Sequence, residues 1–495
     1  MIAMAKMTHF YKLILMIIPM VVLSACSTNE ATGKQQFTAF MPASSEAKIG
    51  AEEHDNILKA YGGKTDNAKI QSYVESIGRR LVPYTERGDV QYTFTVLDSP
   101  IMNAFALPGG YVYVSRGILM YANDEAELAS VIGHEIGHVT ARHSAQRYSK
   151  SVLASIAGVG LSAAFQSGAI NQAFGLGANL YLSAYSRTHE READSLGIRY
   201  IERAGYDPDG SPRFLATMDR YKTFSKKLAG KDNQPDIPNY FSTHPVTAER
   251  VADAKAKTAT IGKDGDRNKI KYMQMINGMI YGDSPKQGFV TQGMFVHPEI
   301  GFKFPVPKGY YTENSPSAFL AVSKKDNGPA LLFEGDAKQS SESIEAYARR
   351  AIAKGDFSNV KISGVKNING FNAVTVEKRG RVGRIPANLI MTAIEFKPDL
   401  VFVMNLAIPD NVSSSERNMV LSSLNNFSRV TNADKQRYKP KTIQIRAAKA
   451  GDTIEALAAR LPFDDGLNLD RFRVLNGLDA NDTLTVGQLY KTIVN

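Results

Sequence analysis

The spacing of apolar residues changes several times along the 495 residues. From Glu46 to about Val82 apolar residues recur every third or fourth position, the period of an amphipathic helix. Residues 90–97 (VQYTFTVL) and 111–115 (YVYVS) alternate like strands, and 103–110 (NAFALPGG) reads as a turn-rich loop between them. Residues 124–147 give the strongest helical pattern. Their acids come early (Asp124, Glu125, Glu127) and their bases late (Arg142, Arg147), which suits the helix dipole. Residues 152–180 are small and apolar, but the longest clean run is too short to span a bilayer. A buried or lid-forming helical hairpin is expected there, with a membrane-dipping hairpin as the alternative. Helical spacing returns at 180–204, 211–228 and after Pro245. Residues 285–298 read as a linker. From 299 to 430 the pattern is mostly alternating strands, with helices near 341–354 and 413–427. The last segment predicts strand 441–447, helices near 453–461 and 468–475, and strand 489–494.

The composition is ordinary for a globular chain, with 43% hydrophobic and 22% charged residues. The net charge of +10 includes Lys6 and Lys12. No dense basic stripe with interleaved aromatics accompanies it, so nucleic acid is not an expected partner. The single Cys excludes a disulfide framework and a cysteine-based zinc site. That residue, Cys26, follows a short basic stretch, an apolar run from Leu13 to Leu23, and Ser24-Ala25. Residues 1–25 thus have the shape of a signal peptide. Leu23-Ser24-Ala25-Cys26 resembles the bacterial lipobox, which implies lipidation of Cys26 after cleavage. Ser27 follows it, where lipoproteins kept at the inner membrane usually carry Asp. The expected location is therefore the periplasmic side of the outer membrane, with residues 26–45 as a lipid-anchored tether.

The chemistry concentrates in two helical segments. His134-Glu135-Ile136-Gly137-His138 places two imidazoles at i and i+4, on one helix face and about one turn apart. They can share a metal, and Glu135 can take a proton from water beside it. Residues 186–197 (SRTHEREADSLG) hold Glu190 and Asp194, again at i and i+4. One carboxylate can complete a His2Glu site, and the other can hold a ligand imidazole by its second nitrogen. His143 lies five residues beyond His138, about 140° round a continuous helix, and is read as structural. His54, His189 and His297 are read as structural or surface residues.

These motifs, with NAFALPGGYVYVSRGIL at 103–119 and THPVTAER at 243–250, resemble the HtpX, CAAX prenyl protease and BepA-like family of zinc metallopeptidases, in its periplasmic lipoprotein branch. The resemblance implies a gluzincin fold and one Zn2+ per chain. It implies His134, His138 and Glu190 as ligands, Glu135 as general base and then acid, and Asp194 as the carboxylate behind a ligand. His244 would be a latch on the metal or a group stabilising the oxyanion, with Arg250 supporting its loop. Asn103 and the strand carrying Tyr111, Val112 and Tyr113 would form the substrate-binding edge. Residues 441–494 resemble a LysM module through Gly451-Asp452-Thr453, Asn476-Gly477-Leu478 and Gly487-Gln488. That resemblance implies binding of N-acetylglucosamine-containing glycans such as peptidoglycan.

The expectation is an α+β chain. A mainly helical zincin-like domain with a small sheet occupies 46–284, an α+β interaction or spacer domain 299–430, and a βααβ module 441–495. Gly301–Pro307 is similar to the opening strand of Mog1/PsbP-like domains. The expected function is a zinc metalloendopeptidase acting on misfolded or stalled envelope proteins, with unfolded or outer-membrane proteins as substrates. The rivals are a chaperone or assembly factor with a latent zinc site, and a peptidoglycan-tethered scaffold.

Overall fold

A computed structural model of the chain describes residues 26–159, 184–229, 243–262, 264–354 and 360–495. The expected signal peptide and most of the expected hairpin at 152–180 lie outside the described residues. Internal contacts divide the chain into two units. One is built on residues 26–227, 243–277 and 444–492, the other on 278–443.

The first unit is arranged around one fully buried helix. Helices α1 (Ala43–Ala60), α2 (Ala68–Leu81) and α3 (Arg116–Tyr121) precede α4 (Glu125–Thr140), every residue of which is buried. The Asp124 side chain caps α4 by accepting from Glu127 N at 2.9 Å, and Glu125 and Glu127 supply negative charge to its first turn. Helices α5 (His143–Val159), α6 (Arg187–Arg203), α7 (Gly210–Ala229), α8 (Ala248–Ile261) and α9 (Lys269–Ile276) follow. Ser186 caps α6 and Thr247 caps α8 in the same way as Asp124 caps α4.

Three differences from the sequence reading have physical causes. The helix expected over 124–147 breaks after Thr140. Arg142 takes φ 54°, rare for a residue with a side chain, and its guanidinium is held by Glu46 (2.7 Å), Thr38 (3.1 Å) and the Met41 carbonyl (2.7 Å). The loop expected at 103–110 is in part a strand. Its residues Ala104–Leu107 (β4) join β3 (Thr93–Leu97) and β5 (Tyr111–Ser115) in the order β3-β5-β4, and only Pro108–Gly110 turn. Residues 26–45 do not hang free as a tether. Strands β1 (Cys26–Thr28) and β2 (Gln35–Phe37) form a hairpin, and Asn29 Nδ2 donates to the Thr140 carbonyl at the end of α4, at 2.9 Å.

The C-terminal module belongs to this unit. Its strands Thr442–Ala447 and Leu489–Val494 pair around helices Ile454–Ala458 and Asn468–Leu475, the expected βααβ order. Lys491 is fully buried and donates to the carbonyls of Met120 (2.9 Å) and Ala122 (2.7 Å), just ahead of α4.

Among its described residues the second unit has an eight-stranded antiparallel sheet and a four-stranded one. The stretch expected as a linker at 285–298 is instead a hairpin of the smaller sheet, Phe289–Thr291 with Met294–His297. Along strand Leu400–Pro409, Phe402, Met404, Leu406 and Ile408 enter a phenylalanine-rich core with Phe295, Phe304 and Phe333. Val401 and Val403 point the other way, against helix Ile344–Lys354, as a strand's period of two requires.

Candidate metal centre

Helices α4 and α6 approach so closely that only glycine fits between them. A methyl group at Gly197 would stand 2.9 Å from His134 N, and one at Gly137 3.0 Å from the Ala193 carbonyl. This contact places Glu190 opposite His134 and His138. His244, just before α8, closes the fourth side. Each of these four residues offers a ligand atom, all within 4.8 Å of one another and all in buried residues. His134 Nε2 lies 3.0 Å from His138 Nε2 and 3.3 Å from His244 Nδ1. Glu190 Oε1 lies 2.9 Å from His244 Nδ1 and 3.5 Å from His138 Nε2.

A carboxylate or a second imidazole stands behind each of the two α4 histidines. Asp194 Oδ1 is 2.9 Å from His134 Nδ1 and is gripped by Arg250 through two bonds of 2.7 Å. Arg250 also reaches Glu190 Oε2 at 2.8 Å and the Pro245 carbonyl at 3.0 Å, so it ties both carboxylates to the loop carrying His244. Behind His138, Nδ1 meets His143 Nδ1 at 2.9 Å, His143 Nε2 meets Glu192 Oε2 at 3.0 Å, and Glu192 pairs with Lys34 at 2.6 Å. Tyr185 stacks on the His138 ring with centroids 4.0 Å apart, and His189 stacks on His143 at 4.3 Å.

The electrostatics suit a cation. Burial drives the His138 pKa well below its ordinary value, leaving the neutral imidazole a metal needs. Burial works against ionisation of Glu190, but His244, His138 and Arg250 outweigh it and hold the carboxyl well below its usual range. The same contest, won by Arg250 and His134, holds Asp194 low. Glu135 differs. Burial raises its pKa, which His244 and His134 offset only in part. Neither of its carboxylate oxygens has a hydrogen-bond partner among the described residues, and it is 0% exposed. A buried carboxylate without a bond is costly, and a water beside a metal would satisfy it. Two imidazoles and a carboxylate, with a third imidazole in reach, are a donor set that fits zinc.

The structure therefore brings together His134, His138, Glu190, His244, Glu135, Asp194 and Arg250. It does not bring the substrate edge where it was expected. Tyr111, Val112 and Tyr113 lie on the central strand, paired on both sides by β3 and β5's other neighbour β4, so their main chain has no edge to offer a peptide. The strand with one neighbour among the described residues, and packed against α4, is β4. Asn103 precedes it, is fully buried, and donates to the Tyr61 hydroxyl at 2.9 Å. His143 does not sit 140° round from His138, because the continuous helix that angle requires ends at Thr140. His143 starts a new helix and turns back onto His138. Glu192 and Tyr185 were missed with it. His54 bonds Tyr113 at 2.7 Å, and His297 lies in the other unit.

Residues 68–258 match Peptidase family M48, and residues 448–489 match the LysM domain. The chain carries both domains. Its relatives include the beta-barrel assembly-enhancing protease of Yersinia pestis, 32% identical over 38% of this chain and 38% of that protein. The protein of the same name from Escherichia coli (strain K12) is 28% identical over the same shares. The mitochondrial metalloendopeptidase OMA1 of Schizosaccharomyces pombe is 30% identical over 42% of this chain and 59% of that one. The chain thus spans well under two thirds of the length of these relatives. The solved structures of yeast Mog1p and a cyanobacterial PsbP match 27% and 29% of the chain at 10% and 12% identity. Their TM-scores of 0.20 and 0.23 are too low to carry a conclusion.

Proposed function

We propose that the chain is a zinc metalloendopeptidase that cleaves misfolded or stalled envelope proteins, held by lipid on Cys26 to the periplasmic side of the outer membrane. One observation carries the peptidase reading: four buried donor atoms within 4.8 Å of one another, beside the buried, unbonded carboxylate of Glu135. Zinc, held by His134, His138 and Glu190, would supply Lewis acidity to the peptide carbonyl and to water. Glu135 takes the proton from the attacking water and returns it to the leaving amine. Asp194 and His143 fix the orientation of the two α4 imidazoles. Strand β4 offers its free edge to an extended substrate by main-chain pairing.

The site as it stands favours a resting state. His244 is fully buried, its Nε2 lies 3.6 Å from Glu135 Oε1, and its Nδ1 lies among the other donor atoms. We read it as a latch that leaves when substrate enters, which also accommodates an assembly factor that is mostly latent. Casein cleavage by the His244→Ala variant should exceed that of wild type several-fold. A fall instead would make His244 a catalytic group and end the latch reading. Radiolabelled palmitate should enter the wild-type chain in a bacterial host and not Cys26→Ala. Equal labelling would remove the lipid anchor. The LysM domain is read as binding peptidoglycan glycan.

A further inference from the structure

Between the LysM module and the metallopeptidase domain, inside the first unit, lies a cleft of about 590 Å3, within the range of small-ligand sites. Its walls come from α7, α8 and the chain on either side of the HExxH helix's start. Five cations line it: Arg213, Arg220, Lys255, Arg267 and Lys269. Among the described residues only two carboxylates do, Glu127 and Asp209. The module contributes the Asn476-Gly477-Leu478 turn and Gln488.

Salt bridges divide these cations into two groups. Arg213 is held by Asp207 (2.7 Å) and Asp124 (3.2 Å), Arg267 by Asp124 (2.7 Å), and Arg220 by Asp479 of the module (2.7 Å). Lys255 and Lys269 make no salt bridge among the described residues. Lys255 is exposed and Lys269 half-buried. Burial and the neighbouring Arg267 lower the Lys269 pKa against the opposing pull of Asp124 and Glu127, and its ammonium lies 5.9 Å from the centroid of the Tyr490 ring. Asn123 is 8% exposed, and its Oδ1 has no hydrogen-bond partner among the described residues. Arg213 Nε faces Glu127 Oε1 at 3.7 Å. The cleft therefore presents two lysines outside any salt bridge among the described residues, more cationic than anionic side chains in its lining, a buried acceptor, and a glycan-module turn on one wall.

We propose that this cleft binds a carboxylate-bearing glycan fragment, of the chemistry of a muramyl peptide, gripped jointly by the module and the metallopeptidase domain. Lys255 and Lys269 bind its carboxylates, while Asn123 Oδ1 and Gln488 meet hydroxyl and amide groups. Such a ligand rests on the glycan reading of the LysM module. It also touches Asn123, whose main-chain N–H donates to Glu127 in the first turn of the HExxH helix at 2.9 Å.

The test is calorimetric titration of the full chain with three probes: a disaccharide-tetrapeptide from peptidoglycan, an uncharged N-acetylglucosamine tetramer, and inorganic phosphate. Wild type and the double variant Lys255→Ala/Lys269→Ala are compared, with circular dichroism confirming equal folding. The expected result is muropeptide binding at least tenfold weaker in the variant, with tetramer binding unchanged and phosphate far weaker than muropeptide. Equal muropeptide affinity in both proteins would overturn the cleft while leaving the module's glycan binding intact. Phosphate binding as tightly as muropeptide would overturn the glycan assignment. If neither saccharide binds wild type, both the cleft and the glycan reading of the module fail.

Discussion

The ligand residues of the metal centre stand out because helix periodicity puts them there. His134 and His138 share a face by spacing alone, and so do Glu190 and Asp194. What spacing does not disclose is which group stands behind which ligand. His143 reaches His138 only because Arg142 adopts a left-handed conformation, and that conformation depends on Glu46, Thr38 and Met41, about a hundred residues away in sequence. Removing a group behind a ligand typically costs roughly 10–100-fold in metal affinity. Asp194→Asn should therefore weaken zinc by about that factor in a chelator competition, and unchanged affinity would reduce Asp194 to a partner of Arg250. Glu192 gives a pH signature. Its bond to His143 holds its pKa at about 2, against roughly 4.3 for a free carboxyl. The stabilisation is complete above that ordinary value and is lost as pH falls through about 2. The difference in melting temperature between wild type and Glu192→Gln should shrink on acidification over that window.

At the level of elements, the long helices and most strands of the second unit follow from hydrophobic period. The misread ones fail for identifiable reasons. Strand β4 (Ala104–Leu107) is buried throughout, so it lacks the alternation that marks a half-exposed strand, and its flanking Pro108-Gly109-Gly110 signals a turn. The pairing of α4 with α6 rests on Gly133, Gly137 and Gly197, whose importance is invisible until the helices are placed together. A methyl group at Gly197 meets backbone at 2.9 Å and 3.1 Å, which neither helix can yield without moving the ligands. Gly197→Ala should destabilise the protein by about 1–3 kcal/mol, the usual cost of overpacking, and lower zinc content. A variant with wild-type melting temperature and full zinc would contradict the close-contact account.

At the level of the whole molecule, the order of modules is legible in sequence, but the attachment of the last one is not. Lys491 reads as an ordinary strand lysine. In the fold its ammonium is buried against two carbonyls of the metallopeptidase domain, and burial lowers its pKa. Lys491→Met would leave those carbonyls unbonded, at about 1–3 kcal/mol each. Limited proteolysis should then release the C-terminal module faster than from wild type, and equal rates would show that other contacts hold it. Whether the buried His-His-Glu cluster and Glu135 make a peptidase is decided in the unlatched background. Zinc content and casein cleavage of His244→Ala would be measured with and without Glu135→Gln. The peptidase reading requires close to one zinc per chain in both and cleavage only where Glu135 is present. Zinc in both with no cleavage by either, or cleavage that survives Glu135→Gln, would contradict it.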